Sequence, residues 1–183
     1  MKRLAASAVV AISLVGCATH VTPQRTATLS APIPAIATSK AGPSDLYPDP
    51  QITPGATNPD VTQANIHETI CKSGWTSTVR PRVTVTNELK TKGIAQYGYD
   101  DLKPGDYEED HFIPLEIGGN PRDPKNLWPE PYNTRVDGKT MGAHQKDKVE
   151  DLLKKQVCSG EITLKEAQEQ ISADWYKIYL AHY

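Results

Sequence analysis

The sequence predicts an α+β fold class because of the order of elements after residue 65. A strand-like segment, Tyr107–Ile117, alternates charged and apolar residues and ends at a Gly-Gly pair. A second short strand follows at Asn126–Trp128, and two amphipathic helical patterns occupy the C-terminal third. Two strands followed by packed helices give an α+β domain with a small ββα unit at its centre.

The C-terminal helices are the clearest local signals. The first is predicted over Ala143–Val157, where apolar residues recur along one stripe of the helix. Gly160 suits the left-handed conformation in which many helices end. The second helix begins at the capping box Thr163–Glu166, in which two side chains satisfy backbone N–H groups at the helix start.

The pattern before the first strand is more mixed. It predicts a short helix at Ile66–Ile70 and a longer helix at Asn87–Tyr97. Thr76–Thr86 is rich in β-branched residues and contains Pro81, which predicts an irregular or edge strand. Gly98–Asp106 has the composition of a turn.

The N-terminus has the pattern of a secretory signal. Positive charge at Met1-Lys2-Arg3 precedes an apolar run, Leu4–Val15, that is too short to span a membrane. The residues Leu14-Val15-Gly16-Cys17 resemble a bacterial lipobox, in which the Cys becomes the lipidated first residue of the mature protein. We therefore expect a signal peptide over residues 1–16 and lipidation of Cys17, with an ordinary signal peptide as the alternative. The lipid would anchor the protein at the cell envelope, at the outer membrane facing the periplasm.

Composition then divides the rest of the chain. Residues 17–64 are rich in Pro, Thr, Ala and Ser and have few large apolar side chains, which predicts a disordered tether. Residues 65–183 have the pattern of a folded domain. No other stretch approaches ~18 uninterrupted apolar residues, so the sequence predicts no membrane-spanning helix beyond the first segment.

Two cysteines remain if Cys17 carries lipid. Cys71 and Cys158 form an even pair in an oxidising compartment, and we expect a disulfide that links the start of the domain to a late helix. A metal site that uses both thiols is the alternative, although neither cysteine has a CxxC partner.

Net charge limits the function classes. The chain of 183 residues carries a net charge of −2, which excludes a basic coat protein for nucleic acid. Action on a polyanion would therefore need a local basic surface or a metal ion.

The segment with the most chemistry is DHFIPLEIGGNPRDPKNLWPEPY, at residues 110–132. An Asp-His pair leads an apolar strand, a Gly-Gly turn follows, and Asn126-Leu127 lies on the return. This combination resembles the HNH, or ββα-metal, nuclease family over roughly Cys71 to Trp175, and most specifically over Asp110–Trp128. The resemblance implies an HNH-like core with additional C-terminal helices, and metal-dependent cleavage of nucleic acid with little sequence specificity.

The resemblance also implies residue roles. His111 and Asn126 would be the catalytic residues: His111 accepts a proton from water, and Asn126 holds the hairpin and orients His111. Asp110 would bind a divalent metal ion, Mg²⁺ foremost, with Mn²⁺, Ni²⁺ and Zn²⁺ as alternatives. His144, which opens the predicted helix, is the favoured second metal ligand, and Asn133 competes for that role.

One geometric condition applies to this site. Successive residues of a strand point to opposite faces, so Asp110 and His111 can act on one substrate only if the strand bends or ends there. Pro114 makes such an irregularity reasonable.

The expected partner is a nucleic acid, with DNA ahead of RNA, and the basic residues Lys146 and Arg135 are expected to contact its phosphates.

An envelope binding or structural lipoprotein that keeps the fold without activity is the alternative function. A weaker alternative is a metallohydrolase that acts on another phosphodiester or on cell-wall material. The intact Asp110, His111 and Asn126 favour the active enzyme.

Overall fold

The computed structural model describes residues 44–183. The predicted signal peptide, Cys17 and residues 17–43 of the predicted tether lie outside the described residues. Within residues 44–183, no helix combines the length and apolar character needed to cross a bilayer. The helices and strands are α1 (Trp75–Val79), α2 (Val83–Tyr97), β1 (Tyr107–His111), β2 (Leu127–Pro131), β3 (Thr134–Val136), β4 (Lys139–Met141), α3 (Ala143–Ser159) and α4 (Leu164–His182).

The strands form two small antiparallel hairpins, and the mixture of hairpins and helices confirms the α+β class. β1 pairs with β2, with Asp110 opposite Trp128 and His111 opposite Leu127. β3 pairs with β4 in a second hairpin between β2 and α3, which the sequence pattern did not predict.

Helices cover both faces of the β1–β2 hairpin. Glu109 lies with α2 residues around one cavity, whereas the next residue, Asp110, bonds to Lys146 of α3. Because neighbouring strand residues point to opposite faces, α2 and α3 pack on opposite sides of β1. Gly93 allows α2 to approach closely, since a Cβ there would lie 2.9 Å from Pro129 Cδ.

The core lies between α3, α4 and the hairpin. The buried stripe of α3 predicted from the sequence is confirmed at Val149, Leu153 and Val157. The capping box of α4 is also confirmed, because the Glu166 amide donates to Thr163 Oγ1 and the Thr163 amide donates to Glu166 Oε2. The predicted disulfide is present between Cys71 and Cys158, whose Cα atoms lie 5.6 Å apart.

The prediction for Thr76–Thr86 was wrong, because this segment contributes to α1 and α2. Pro81 lies between the two helices, where Arg80 and Arg82 adopt extended backbone angles. The proline therefore separates two helices instead of marking an edge strand. Packing of α2 on the hairpin outweighs the weak strand preference of its β-branched residues.

Three other boundaries also differ from prediction. Ile66–Ile70 forms a series of turns, not a helix. β1 ends at His111, and its predicted continuation contains a 3₁₀ turn at Leu115–Ile117. The second strand is longer than predicted and runs on to Pro131.

The predicted tether boundary at residue 64 was also wrong, because residues 45–64 belong to the folded unit. Leu46, Tyr47 and Val61 lie in the hydrophobic core. The Trp175 indole donates to the Leu46 carbonyl at 2.9 Å, and the Tyr47 hydroxyl donates to Asp174 at 2.6 Å. A few buried apolar side chains hold this polar segment against the core. The average composition of the segment does not reveal them.

Candidate functional site

The end of β1 brings the central predicted residues to one pocket. Because the strand stops at His111, both Asp110 and His111 line an open pocket of about 290 Å³, which meets the geometric condition. The remaining lining residues are mostly acidic: Arg80, Glu108, Pro114, Leu115, Glu116, Asp147, Glu150 and Asp151.

His111 is held by a backbone carbonyl. Its side chain is 3% exposed, and its Nε2 lies 3.2 Å from the Pro121 oxygen. A carbonyl oxygen can only accept a hydrogen bond, so Nε2 carries the proton and Nδ1 has the free lone pair of a neutral ring. Burial lowers the pKa of His111, against the opposing effects of Asp110 and Pro121. The ring is therefore neutral near neutral pH, with Nδ1 as its proton acceptor.

Asn126 closes the loop between β1 and β2. Its fully buried amide accepts from the Ile113 N–H at 2.9 Å and donates to the carbonyls of Ile113 at 2.9 Å and Asn120 at 3.0 Å. It also accepts from the Ala56 N–H at 3.3 Å. Asn120 precedes Pro121, so Asn126 fixes the backbone whose carbonyl holds His111. Asn126 thus acts on the imidazole through the loop.

The loop requires glycine at one position. A Cβ on Gly119 would lie 1.7 Å from the Ile113 carbonyl oxygen, so no other residue fits without moving the backbone. The second glycine of the Gly-Gly pair in the sequence is therefore required for a steric reason.

Asp110 is paired with a buried lysine. Lys146 Nζ lies 2.5 Å from Asp110 Oδ2 and 2.5 Å from Glu150 Oε1. Glu130, which is fully buried, places Oε2 3.9 Å from the same ammonium. We call Asp110, Glu130, Lys146 and Glu150 the charged cluster.

The expectation that Lys146 contacts phosphate was wrong, because its side chain is 1% exposed. Its position on α3 explains the burial. Lys146, Val149, Glu150 and Leu153 follow the spacing of a single helix face, and that face is directed into the protein.

The charged cluster holds more acidic groups than its single ammonium can balance. Burial opposes ionisation of Asp110, but the charge of Lys146 outweighs it and lowers the pKa of Asp110. Burial raises the pKa values of Glu130 and Glu150 well above their usual range. In the adjoining pocket, burial and then the charge of Asp110 raise the pKa values of Glu108 and Asp147. An additional cation in the pocket would relieve this repulsion.

Three of the described residues form a group that could hold a metal ion. Glu108, His144 and Asp147 place one ligand atom each within 4.8 Å of one another. One imidazole nitrogen and two carboxylate oxygens are a donor set that fits divalent cations. The His144 ring also lies against Tyr132, with ring centroids 4.8 Å apart.

This metal group differs in part from the predicted ligand set. It includes the predicted His144, whereas the predicted Asp110 lies beside it in the charged cluster. Sequence reasoning missed Glu108 and Asp147. Their spacing was the available signal, since Glu108 is two residues from Asp110 on β1 and Asp147 is one helical turn from His144.

Arg135 and Asn133 lie elsewhere. Both line a separate cavity of about 590 Å³ that also includes Tyr99 and Tyr107. Arg135 donates from Nη1 to Thr140 Oγ1 at 2.9 Å across the β3–β4 hairpin. The structure therefore does not bring Arg135 or Asn133 to the pocket that contains His111.

The pocket brings together a neutral imidazole with a defined tautomer and several acidic side chains, two of which, Glu108 and Asp147, belong to the metal group. Arg80 is a basic residue at this pocket, with Nη2 3.5 Å from Glu116.

No protein-family model, curated protein or solved structure matches the chain.

Proposed function

We propose that the chain is a metal-dependent phosphodiesterase, an HNH-type endonuclease that hydrolyses nucleic acid at the bacterial cell envelope, with DNA as the favoured substrate. The observation that carries the proposal is the neutral His111 ring, which is fixed by Pro121 in the same pocket as Glu108 and Asp147. β1 carries Glu108 and His111, Asn126 directly precedes β2, and α3 carries His144 and Asp147, which is the order that the ββα resemblance implies.

The acidic pocket makes a cation necessary for this function. A phosphodiester carries negative charge, and the carboxylates of Glu108, Asp110 and Asp147 would repel it. A divalent ion, Mg²⁺ or one of the other candidates, supplies charge neutralisation at the phosphate and the leaving oxygen when it is bound. Glu108, His144 and Asp147 are the residues that would hold it.

His111 has the role of general base. With Nε2–H donated to Pro121, Nδ1 is free to accept a proton from the attacking water. Asn126 keeps the loop, and thereby the Pro121 carbonyl, in position. Positioned acid–base groups of this kind contribute roughly 10²–10⁴-fold to a rate.

A non-catalytic envelope lipoprotein with the same fold is the second candidate. The observation in its favour is the 3% exposure of His111, which leaves the imidazole a small area of contact with the pocket. The two candidates differ in whether the purified protein cleaves a phosphodiester.

The test is cleavage by the purified protein. Supercoiled plasmid and single-stranded RNA are incubated with Mg²⁺, Mn²⁺, Ni²⁺, Zn²⁺ or EDTA, beside the His111→Ala variant. We expect cleavage with a divalent ion and none with EDTA. A folded protein that cleaves neither polymer would favour the non-catalytic candidate. Turnover of bis(p-nitrophenyl) phosphate alone would indicate a different phosphodiester substrate.

The envelope location depends on Cys17, which lies outside the described residues. A Cys17→Ala variant is expected to lose lipid labelling and to leave the membrane fraction. Unchanged membrane fractionation would refute the lipobox interpretation.

A further inference from the structure

Lys146 links the last two residues of β1 from the side of α3. Its Nζ lies 2.5 Å from Asp110 Oδ2 and donates to the backbone carbonyl of His111 at 3.1 Å. His111 is also the last residue of β1 paired with β2, at Leu127. The ammonium thus provides a contact at the point where the pairing of the two strands ends.

We propose that Lys146 is a positioning residue: its ammonium fixes the Asp110 carboxylate and the His111 backbone, and thereby sets the direction in which both side chains reach the pocket. This inference rests on the proposed hydrolytic function. His111 would then be held twice, at its ring by Pro121 and at its carbonyl by Lys146.

Stability alone is a poor explanation for this lysine. Burying an ammonium and its partner carboxylates costs desolvation energy, and well-packed apolar residues often stabilise a protein as much or more. Lys146 lies on the same buried face of α3 as Val149 and Leu153, where an apolar side chain would fit the pattern. Its contacts with the two pocket residues Asp110 and His111 give it a specific role there.

Kinetics distinguish positioning from direct contact with substrate phosphate. Lys146→Met removes the charge and keeps much of the side-chain volume. Misplacement of the catalytic groups should lower kcat about 10²-fold, while KM stays within about two-fold because the buried ammonium does not contact substrate. Lys155→Met makes the same change at an exposed residue of α3 and should leave both constants unchanged.

An activity-independent readout comes from imidazole ¹⁵N spectra of the metal-free protein, with the His111 signals assigned through His111→Gln. The wild type should show one tautomer, with Nε2 protonated. Lys146→Met should broaden or shift these signals, and Lys155→Met should not. If Lys146→Met fails to fold, the double variant Lys146→Met/Glu150→Gln also removes an opposing carboxylate and should give the same two results.

Two outcomes would overturn the proposal: an unchanged His111 spectrum together with wild-type kcat, or an increase in KM alone. A wild-type protein that cleaves no phosphodiester would instead refute the proposed function. In that case the imidazole spectra alone decide whether Lys146 positions His111.

Discussion

Two polar networks support the β1–β2 hairpin, and they differ in charge. Around Asn126 the groups are neutral, and the amide makes four hydrogen bonds to the backbone. In the charged cluster, one ammonium faces three acidic side chains between the hairpin and α3.

The neutral network around Asn126 sets the shape of the loop, whereas the charged cluster sets the electrostatics of the pocket. A fully bonded neutral network fixes a loop at little electrostatic cost, whereas an excess of buried acidic groups favours the binding of a cation nearby. The networks meet at His111, which the loop contacts through Pro121 and α3 contacts through Lys146. We therefore expect changes near Asn126 to act mainly on stability, and changes near the pocket to act mainly on metal binding and rate.

The largest stability effect is expected for Asn126→Ala. The change leaves four backbone groups without their partner, at a cost of about 1–3 kcal/mol for each group that water does not reach, or roughly 4–12 kcal/mol if none of the four is hydrated. Urea denaturation measures the loss. Asn133→Ala, at an exposed position, is the control and should change little. A loss below about 1 kcal/mol for Asn126→Ala would contradict the structural role of this network.

Reduction of the disulfide should separate stability from rate. Cys71 and Cys158 are 87 residues apart, so opening the bond restores chain entropy worth about 4–5 kcal/mol in the unfolded state. We expect a lower melting temperature but an unchanged cleavage rate while the protein remains folded. A rate that falls before unfolding begins would show that this distant link also shapes the pocket.

The metal group should respond to Asp147→Asn. Loss of one of three ligands should weaken Mn²⁺ binding tenfold or more, measured by calorimetry. Asp151→Asn removes a carboxylate from the same pocket but not from the metal group, and it should have a smaller effect. Equal weakening by both variants would indicate that overall negative charge attracts the ion without a defined ligand set.

The smallest effect is expected for Glu130→Gln. Burial raises the pKa of Glu130 well above its usual range, and this shift favours the protonated, neutral side chain. The isosteric amide should therefore change the free energy of unfolding by no more than about 1 kcal/mol. Asp110→Asn removes an ionised partner of Lys146 and should be more costly. If Glu130→Gln proves the more costly change, the charge assignment within the cluster is wrong.

Much of the fold could be predicted from local pattern. The stripe of α3, the capping box of α4 and the Cys71–Cys158 pair depend on spacing and chemistry that the sequence displays directly. The start of α2 was missed because its packing on the hairpin is a long-range effect. Residues 45–64 were missed because three apolar side chains in the hydrophobic core hold a segment whose average composition is polar.

The candidate site was predicted in part. Asp110 and His111 do share a pocket, and His144 belongs to the metal group. The burial of Lys146 depends on Glu150, one turn further along α3, and on a strand 36 residues earlier in the chain. A charged residue on an amphipathic helix usually faces solvent, so only the tertiary contacts show that this one points inward.

The role of His111 as general base is tested most directly by comparing His111→Ala with the wild type in a single-turnover plasmid assay with Mg²⁺, alongside thermal unfolding and Mn²⁺ titration of the same preparations. We expect a rate lower by roughly 10²–10⁴-fold, with Mn²⁺ affinity and the fold retained, because the Glu108, His144 and Asp147 ligands remain. A folded His111→Ala variant that cleaves plasmid as fast as the wild type would contradict this role.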